Sequence, residues 1–324
     1  MPQKSWAIGI DLGGTKTEVT QVDGSGTPQE KFLFPTNVKG GAEAIIKEII
    51  AAVKLLIDRV GSPPVGVGIG VAGQVDAETG VVLFAPNLNW RDVPLRIQLS
   101  KDLGVPVTVL NDVRSAAWGE WLYGAGKGVD DLVCLFVGTG IGGGVVSGGH
   151  MLTGSSNTAG ELGHITIDLF GPTCTCGNSG CLEALASGWA ISRRIEEAIA
   201  EDPSSGEAIM KLNEGQSKKV NSNILRQAAQ AGDPLAKLIL EEVTIALIAG
   251  AVSLVNAFNP RRLILGGGVI RTVPDLVEKV RQGVRQRALA AATTNLEVLP
   301  VHFPAQAGVI GAAAVAMRKF GGKI

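Results

Sequence analysis

Three of the four cysteines fall within eight residues, in the stretch GHITIDLFGPTCTCGNSGCLE from Gly163 to Glu183. Cys174, Cys176 and Cys181 are spaced Cys-x-Cys-x4-Cys, and His164 stands ten positions before the first of them. Three thiols and one imidazole suit tetrahedral Zn2+, and Gly177 and Gly180 supply the reversals that aim three sulfurs at one point. Four protein ligands leave no open position, so the ion would be structural and not a Lewis acid. A disulfide with one spare thiol, or three unligated thiols, are the other readings of the same residues. Cys134, in VCLFV, reads as a buried strand residue.

Two glycine turns offer a different chemistry. WAIGIDLGGTKTEVTQV, from Trp6, reads strand, turn, strand, and DLVCLFVGTGIGGGVVSGG repeats that pattern about 130 residues later. Backbone N–H groups at such turns can approach a phosphate without Cβ interference. Gly13 and Gly14 carry Thr15 and Lys16 as further donors. Gly138, Gly140 and Gly142 carry Thr139. A third glycine run, Gly266, Gly267 and Gly268, follows the strand RRLIL. Asp11, at the end of its strand, could hold Mg2+ through water. Either hairpin alone reads as an ordinary turn; together with LGGGV they favour nucleotide binding. Gly138-x-Gly140-x-x-Gly143 matches the dinucleotide fingerprint, with Glu161 about 20 positions on. That match is rejected, because a helix must open at the glycines and GGGVVSGG favours a strand. No Walker A loop is present.

A third candidate is Asp112, where the strand VPVTVLN meets the helix DVRSAAWGEW. A carboxylate there can accept a proton from a hydroxyl. It can equally be the helix N-cap, a position that favours Asp.

The elements that must place these groups alternate between strand and helix, which is an α/β pattern. GGAEAIIKEIIAAVKLLIDRVG is an amphipathic helix ending at Gly61. The middle, from Leu182 to Val255, is largely helical, and AGVIGAAAVAMRKF is a small-residue helix near the end. The repeated strand–turn–strand unit points to two like domains. With 324 residues and 45% hydrophobic content, the chain can fill two cores. A net charge of −1 favours neither a nucleic-acid nor a membrane partner. The longest apolar stretch, Thr244–Phe258, is short for a bilayer and reads as a buried helix. The start, MPQKSWAIGIDLGG, lacks a signal-peptide core, and four cysteines are no secreted framework, so the expected compartment is the cytoplasm.

DLGGTK, VGTGIGGG, AGELGH, CTCGNSGCLE and LILGGGV resemble, in this order, the ROK family of sugar kinases and related repressors, within the actin-like ATPase superfamily. The matches run from Ile10 to Gly268, and the cysteine cluster with its upstream Glu-x-x-His is the most specific of them. Asn157 departs from the pattern, which has Gly there; Asn tolerates the left-handed backbone.

The resemblance implies two actin-like (ribonuclease H-like) lobes around a central cleft, one of residues 1–113 plus 302–324, the other of residues 114–301. It implies ATP with Mg2+, its phosphates near GTGIGGG and LGGGV. It makes Asp112 the catalytic base and Gly73, Asn87, Asn111, Glu161, His164 and Glu183 sugar contacts. Without it, Glu161, His164 and Glu183 read equally well as solvated polar residues. The implied reaction is phosphorylation of the C6 hydroxyl of a hexose, with glucose ahead of N-acetylmannosamine and fructose, and with polyphosphate as an alternative donor. Homodimers or homotetramers are implied. A sugar-sensing repressor is the rival; there a helix-turn-helix precedes the kinase-like part, whereas here the first hairpin starts at once. Metal loss should then weaken sugar binding more than ATP binding, since the glycine hairpins are expected to lie away from the cysteine loop.

Overall fold

The computed structural model describes residues 5–321. They divide into two compact units. The first runs to Gly128, takes up Met151–Ala159 and closes with the segment from His302; the second is Val129–His150 and Gly160–Val301.

The strands of the first unit are Trp6–Leu12 (β1), Lys16–Asp23 (β2), Pro28–Pro35 (β3), Val67–Val71 (β4), Gln74–Val75 (β5), Val82–Ala85 (β6), Trp90–Val93 (β7) and Val107–Asn111 (β8). Five form a sheet in the order β3-β2-β1-β4-β8, and β5-β6-β7 form a small second sheet. β1 runs antiparallel to β2 and parallel to β4, which is parallel to β8. Both β1 and β4 are apolar or glycine almost throughout and buried on both faces, as central strands covered by helices must be. The helices are Gly41–Val60 (α1), Leu95–Leu103 (α2), Asp112–Leu122 (α3) and the C-terminal helix Ala307–Phe320. α1 ends where Gly61 turns left-handed, at φ +72°.

The second unit repeats this plan. Leu132–Val137 (β9), Ile141–Ser147 (β10), His150–Met151 (β11), Arg262–Gly266 (β12) and Glu297–Pro300 (β13) are ordered β11-β10-β9-β12-β13. β9 is antiparallel to β10 and parallel to β12, which is parallel to β13. The glycine turns thus join β1 to β2 and β9 to β10, the duplication expected from the sequence. A strand, not a helix, follows Gly140, which is why the dinucleotide fingerprint fails. The helices here are Leu182–Ala186 (α4), Gly188–Glu201 (α5), Glu207–Leu212 (α6), Ser222–Gln230 (α7), Pro234–Phe258 (α8), Gly268–Thr272 (α9), Asp275–Arg287 (α10) and Ala290–Thr293 (α11).

The apolar stretch Thr244–Phe258 is the later part of a longer helix than the sequence reading allowed. Asp233 caps α8 by accepting from Ala236 N at 3.0 Å, and Pro234 fills its first turn. At 25 residues α8 is long and apolar enough to cross a membrane by length and composition. Leu235, Ile239, Val243, Leu247, Leu254 and Val255 instead pack in the second core, and Cys134 on β9 is fully buried.

The first unit extends past the residue-113 boundary expected from the sequence, because α3 packs on the C-terminal helix. A Cβ on Gly311 would lie 1.7 Å from Ser115 O, and one on Gly68 of β4 1.8 Å from Ala312 O. Ser115 Oγ donates to Gly308 O at 2.8 Å. The buried Glu120 carboxylate of α3 accepts from Ala125 N, His302 N and Phe303 N at 2.7–2.9 Å. The small-residue composition of the last helix is therefore a packing requirement. Gly68→Ala should destabilise the first unit by about 2–3 kcal/mol through overpacking; an unshifted urea midpoint would contradict the close approach. The outer ends of the expected first lobe, residues 1–4 and 322–324, lie outside the described residues.

Candidate active site and metal centre

Asn111, not Asp112, is the N-cap of α3. Its Oδ1 accepts from Arg114 N at 3.0 Å, and its Nδ2 donates to Gly73 O at 3.2 Å and to Asp112 Oδ1 at 3.0 Å. Asp112 is the first helical residue, so capping does not account for it. The Asn111 amide has both N–H groups engaged, which leaves only Oδ1 for a further hydroxyl. Gly73 sits against Phe84 O and Ala85, and Asn87 follows two residues on. Gly14 in the first glycine turn abuts Asn87: a Cβ there would lie 2.5 Å from Asn87 O. The first unit thus gathers Asp11, Gly14, Gly73, Asn87, Asn111 and Asp112.

In the same turn Gly13 N donates to Lys16 O at 3.1 Å, and Thr36 Oγ1 donates to Gly13 O at 2.7 Å. The N–H groups of Gly14 and Thr15 have no acceptor among the described residues. Lys16 is exposed and near enough to Asp11 to draw its pKa down. Arg114 is buried and donates to both the side chain and the carbonyl of Asn157 and to Ala159 O. That clamp carries Met151–Ala159 into the first unit. Asn157 takes the left-handed backbone expected of it, at φ +59°, and its Nδ2 donates to Val75 O at 3.1 Å, which Gly could not do.

Burial, and next the Asp112 carboxylate, push Asp11 from 3.8 up to about 6, with Lys16 opposing. The folded value is the raised one, so this group favours the folded state fully below the unfolded pKa of 3.8, and that contribution is lost as pH rises through 6. Asp11→Asn should therefore raise stability at pH 8 by on the order of 2–3 kcal/mol while impairing activity, and the two proteins should converge toward pH 4. Urea unfolding of both chains across this range checks the sign; a wild type more stable than the variant at pH 8 would overturn it.

In the second unit, Gly138 N donates to Gly140 O at 2.8 Å, while the N–H groups of Thr139 and Gly140 have no acceptor among the described residues. Gly142 continues β10 opposite Phe136. Gly138 and Thr139 line a cavity of about 630 Å3 together with Gly268, Trp189, Arg193 and Asn221. Of the third glycine run, Gly268 faces this cavity. Gly267 takes φ +92° against Val137, and Gly266 packs on Val301 and Phe136. Trp189, Ser192, Arg193, Lys219 and Asn221 were missed in the sequence, since they come from two separated segments with no motif.

His164, Cys174, Cys176 and Cys181 converge, their ligand atoms all within 4.8 Å of one another. Cys176 Sγ and Cys181 Sγ are 3.7 Å apart, as are Cys174 Sγ and His164 Nδ1. Zn–S bonds of about 2.3 Å and Zn–N bonds of about 2.0–2.1 Å give tetrahedral edges of roughly 3.8 and 3.6 Å. The donor set therefore fits zinc in both chemistry and spacing. All four cysteines are free thiols, so no disulfide competes here. The backbone N–H of Asn178 pulls the exposed Cys176 thiol down, whereas burial and then Cys176 and Cys174 push Cys181 up to about 12. A dication among the sulfurs would offset the second effect.

Glu161 is exposed and opens the short turn Leu162–His164. Glu183 has two protein donors, Ile141 N at 2.7 Å and Trp189 Nε1 at 3.4 Å. The second glycine hairpin is therefore in direct contact with the end of the cysteine loop, and the expectation that the two lie apart is corrected. The sequence hides this because Ile141 and Glu183 are 42 positions apart.

A duplicated β-sheet plan carrying two glycine turns, an acidic pair and a Cys3His loop defines a sugar-kinase-like protein of the actin-like ATPase fold. The chain belongs to the ROK family, whose model matches residues 7–319. It is 38% identical to the glucokinase of Thermotoga maritima, over 97% of this chain and 98% of that one. The ROK family glucokinase from Streptomyces griseus, solved in complex with glucose and AMPPNP, is 35% identical with a TM-score of 0.75, covering 97% of this chain and 100% of that one. A xylose repressor from Caldicellulosiruptor bescii is 31% identical over 95% of this chain and 77% of its own length.

Proposed function

We propose that this chain is a hexose kinase that transfers the γ-phosphoryl group of ATP to the C6 hydroxyl of glucose. Asp112 accepts the hydroxyl proton while O6 bonds to the γ-phosphorus and the bond to the β-phosphate oxygen breaks, which releases ADP. The observation that carries this reading is the division of labour at the start of α3: Asn111 caps the helix and donates to Asp112 Oδ1, so the carboxylate is held but not used as the cap. Asp11 would hold the Mg2+ that accompanies ATP through water, and both that cation and Lys16 favour its charged form.

In the second unit, Gly138, Thr139, Gly140 and Gly268 bind nucleotide, with the cavity lined by Trp189 and Asn221 taking the nucleoside. Gly142, Gly266 and Gly267 shape the backbone that presents those groups. Gly13, Gly14, Thr15 and Lys16 are phosphate donors. Glu161, His164 and Glu183 are sugar-hydroxyl contacts, as are Asn87, Asn111 and the backbone of Gly73. His164 can serve both roles assigned to it, because Nδ1 faces the sulfurs and Nε2 is on the other side of the ring. His164, Cys174, Cys176 and Cys181 would hold one structural Zn2+, which supplies rigidity to the loop and no catalytic step. Free thiols fit a cytoplasmic enzyme, and assembly into homodimers or homotetramers belongs to the same proposal.

The repressor reading has no comparable support, since a regulator that only senses sugar needs no proton acceptor at Asp112. Coupled assays with ATP or polyphosphate against glucose, fructose, mannose, N-acetylglucosamine and N-acetylmannosamine test the proposal. The highest kcat/KM should fall to ATP with glucose; a preference for another sugar by tenfold or more would reassign the substrate.

A further inference from the structure

The residues that follow the cysteine loop grip the second glycine hairpin at several points. Glu183, two residues after Cys181, accepts from Ile141 N at 2.7 Å. Gly188 N donates to Gly138 O at 2.8 Å and Trp189 N to Thr139 O at 3.1 Å. The Trp189 indole N–H donates to the other Glu183 oxygen at 3.4 Å, and its ring packs on the buried cluster of Cys174, Cys181 and Ala184. Arg193 lies over that ring at 5.7 Å and donates to Ala184 O at 3.1 Å. On the other side of the loop Gly163, next to His164, is pressed onto β10: a Cβ there would stand 2.0 Å from Ile141 O. Trp189 and Arg193 also line the cavity.

From these contacts we infer that Glu183 and Trp189 are positioning residues that couple metal binding at the cysteine loop to nucleotide binding in the cavity. The inference rests on reading that cavity as the ATP site. His164 and Cys181 would be held fixed by a bound metal, and through them Gly163 and Glu183 on the two sides of Ile141. The hairpin then presents Thr139 and Gly140 already ordered, and a nucleotide binding to it loses less conformational freedom. Linkage makes the effect reciprocal: nucleotide must favour metal by the same factor that metal favours nucleotide.

The test uses the full chain loaded with zinc and no sugar. Zinc affinity is measured by competition with a chromophoric chelator, with and without a Mg2+–AMPPNP probe held saturating for each protein, its affinity first measured on each loaded chain by calorimetry. The probe should tighten zinc binding by about tenfold. Trp189→Phe keeps an aromatic ring and removes the indole donor to Glu183; it should still bind one zinc but show a clearly smaller ratio of zinc affinities. Because the probe saturates each protein, a direct effect of the substitution on nucleotide affinity does not imitate it. Equal zinc affinities with and without the probe would overturn the coupling, as would an unchanged ratio in Trp189→Phe. A chain that takes up zinc but no AMPPNP would overturn the nucleotide reading instead, and one that takes up no zinc would overturn the metal assignment; the inference falls with either.

Discussion

Asp112→Asn should lower kcat by about 10²–10⁴-fold while leaving glucose affinity within a few fold. The variant keeps the shape of the side chain and loses only its capacity to take a proton. Asn111 still caps α3, so stability should not fall below that of the wild type by more than about 0.5 kcal/mol. Removing the Asp112 charge should also bring the Asp11 pKa down, since that charge is the second largest cause of its rise. The partner experiment is Asn111→Ala, which removes the actual cap and should cost about 1 kcal/mol. Steady-state kinetics and urea unfolding on both variants separate proton transfer from helix capping. If Asp112→Asn turned over normally but melted early, the residue would be structural.

Loss of the metal should have the other large effect. Cys176→Ala removes the exposed sulfur of the cluster, whose thiol pKa the Asn178 N–H holds below the ordinary value, and zinc content should fall well below one per chain. The loop from Asp168 to Gly180 is tied mainly by backbone hydrogen bonds such as Cys174 N to Asn178 O and Gly180 N to Pro172 O. Leu169 and Phe170 within it are 81% and 96% exposed, so apolar burial there cannot replace the ion. A loss of about 3 kcal/mol would lower Tm by roughly 6–12 °C for a unit of this size. Because Glu183 and Gly163 both touch Ile141, nucleotide affinity should fall along with sugar affinity. Elemental analysis and a thermal melt check the first two points. A metal-free wild type with full activity and an unchanged Tm would contradict the structural role.

Much of this was legible in the sequence, for identifiable reasons. The zinc-type ligands announce themselves because few residue types bind zinc and the spacing is short. The duplicated sheet was visible because each glycine turn falls between two apolar runs. The left-handed Asn157 followed from the one departure in a glycine-rich pattern. Long-range pairing was not legible. No local rule joins Glu183 to Ile141, Arg114 to Asn157, or Glu120 to the backbone at His302. The true cap of α3 was also hidden, since Asn111 and Asp112 are both good caps and only the backbone angles choose between them. The small-residue C-terminal helix was recognised as a helix, but the glycines it needs opposite it, Gly68 on β4 among them, are identified only by the fold.

The proposed reaction is phosphoryl transfer from ATP to the C6 hydroxyl of glucose with Asp112 as proton acceptor. The most direct measurement follows the reaction of purified wild-type and Asp112→Asn chains with ATP, Mg2+ and glucose by 31P and 1H NMR. The wild type should form glucose 6-phosphate and ADP in equal amounts, and the variant should do so at a rate lower by at least about 100-fold. Production at equal rates by both chains would remove Asp112 from the mechanism, and a wild type that forms no sugar phosphate would contradict the assignment of the reaction itself.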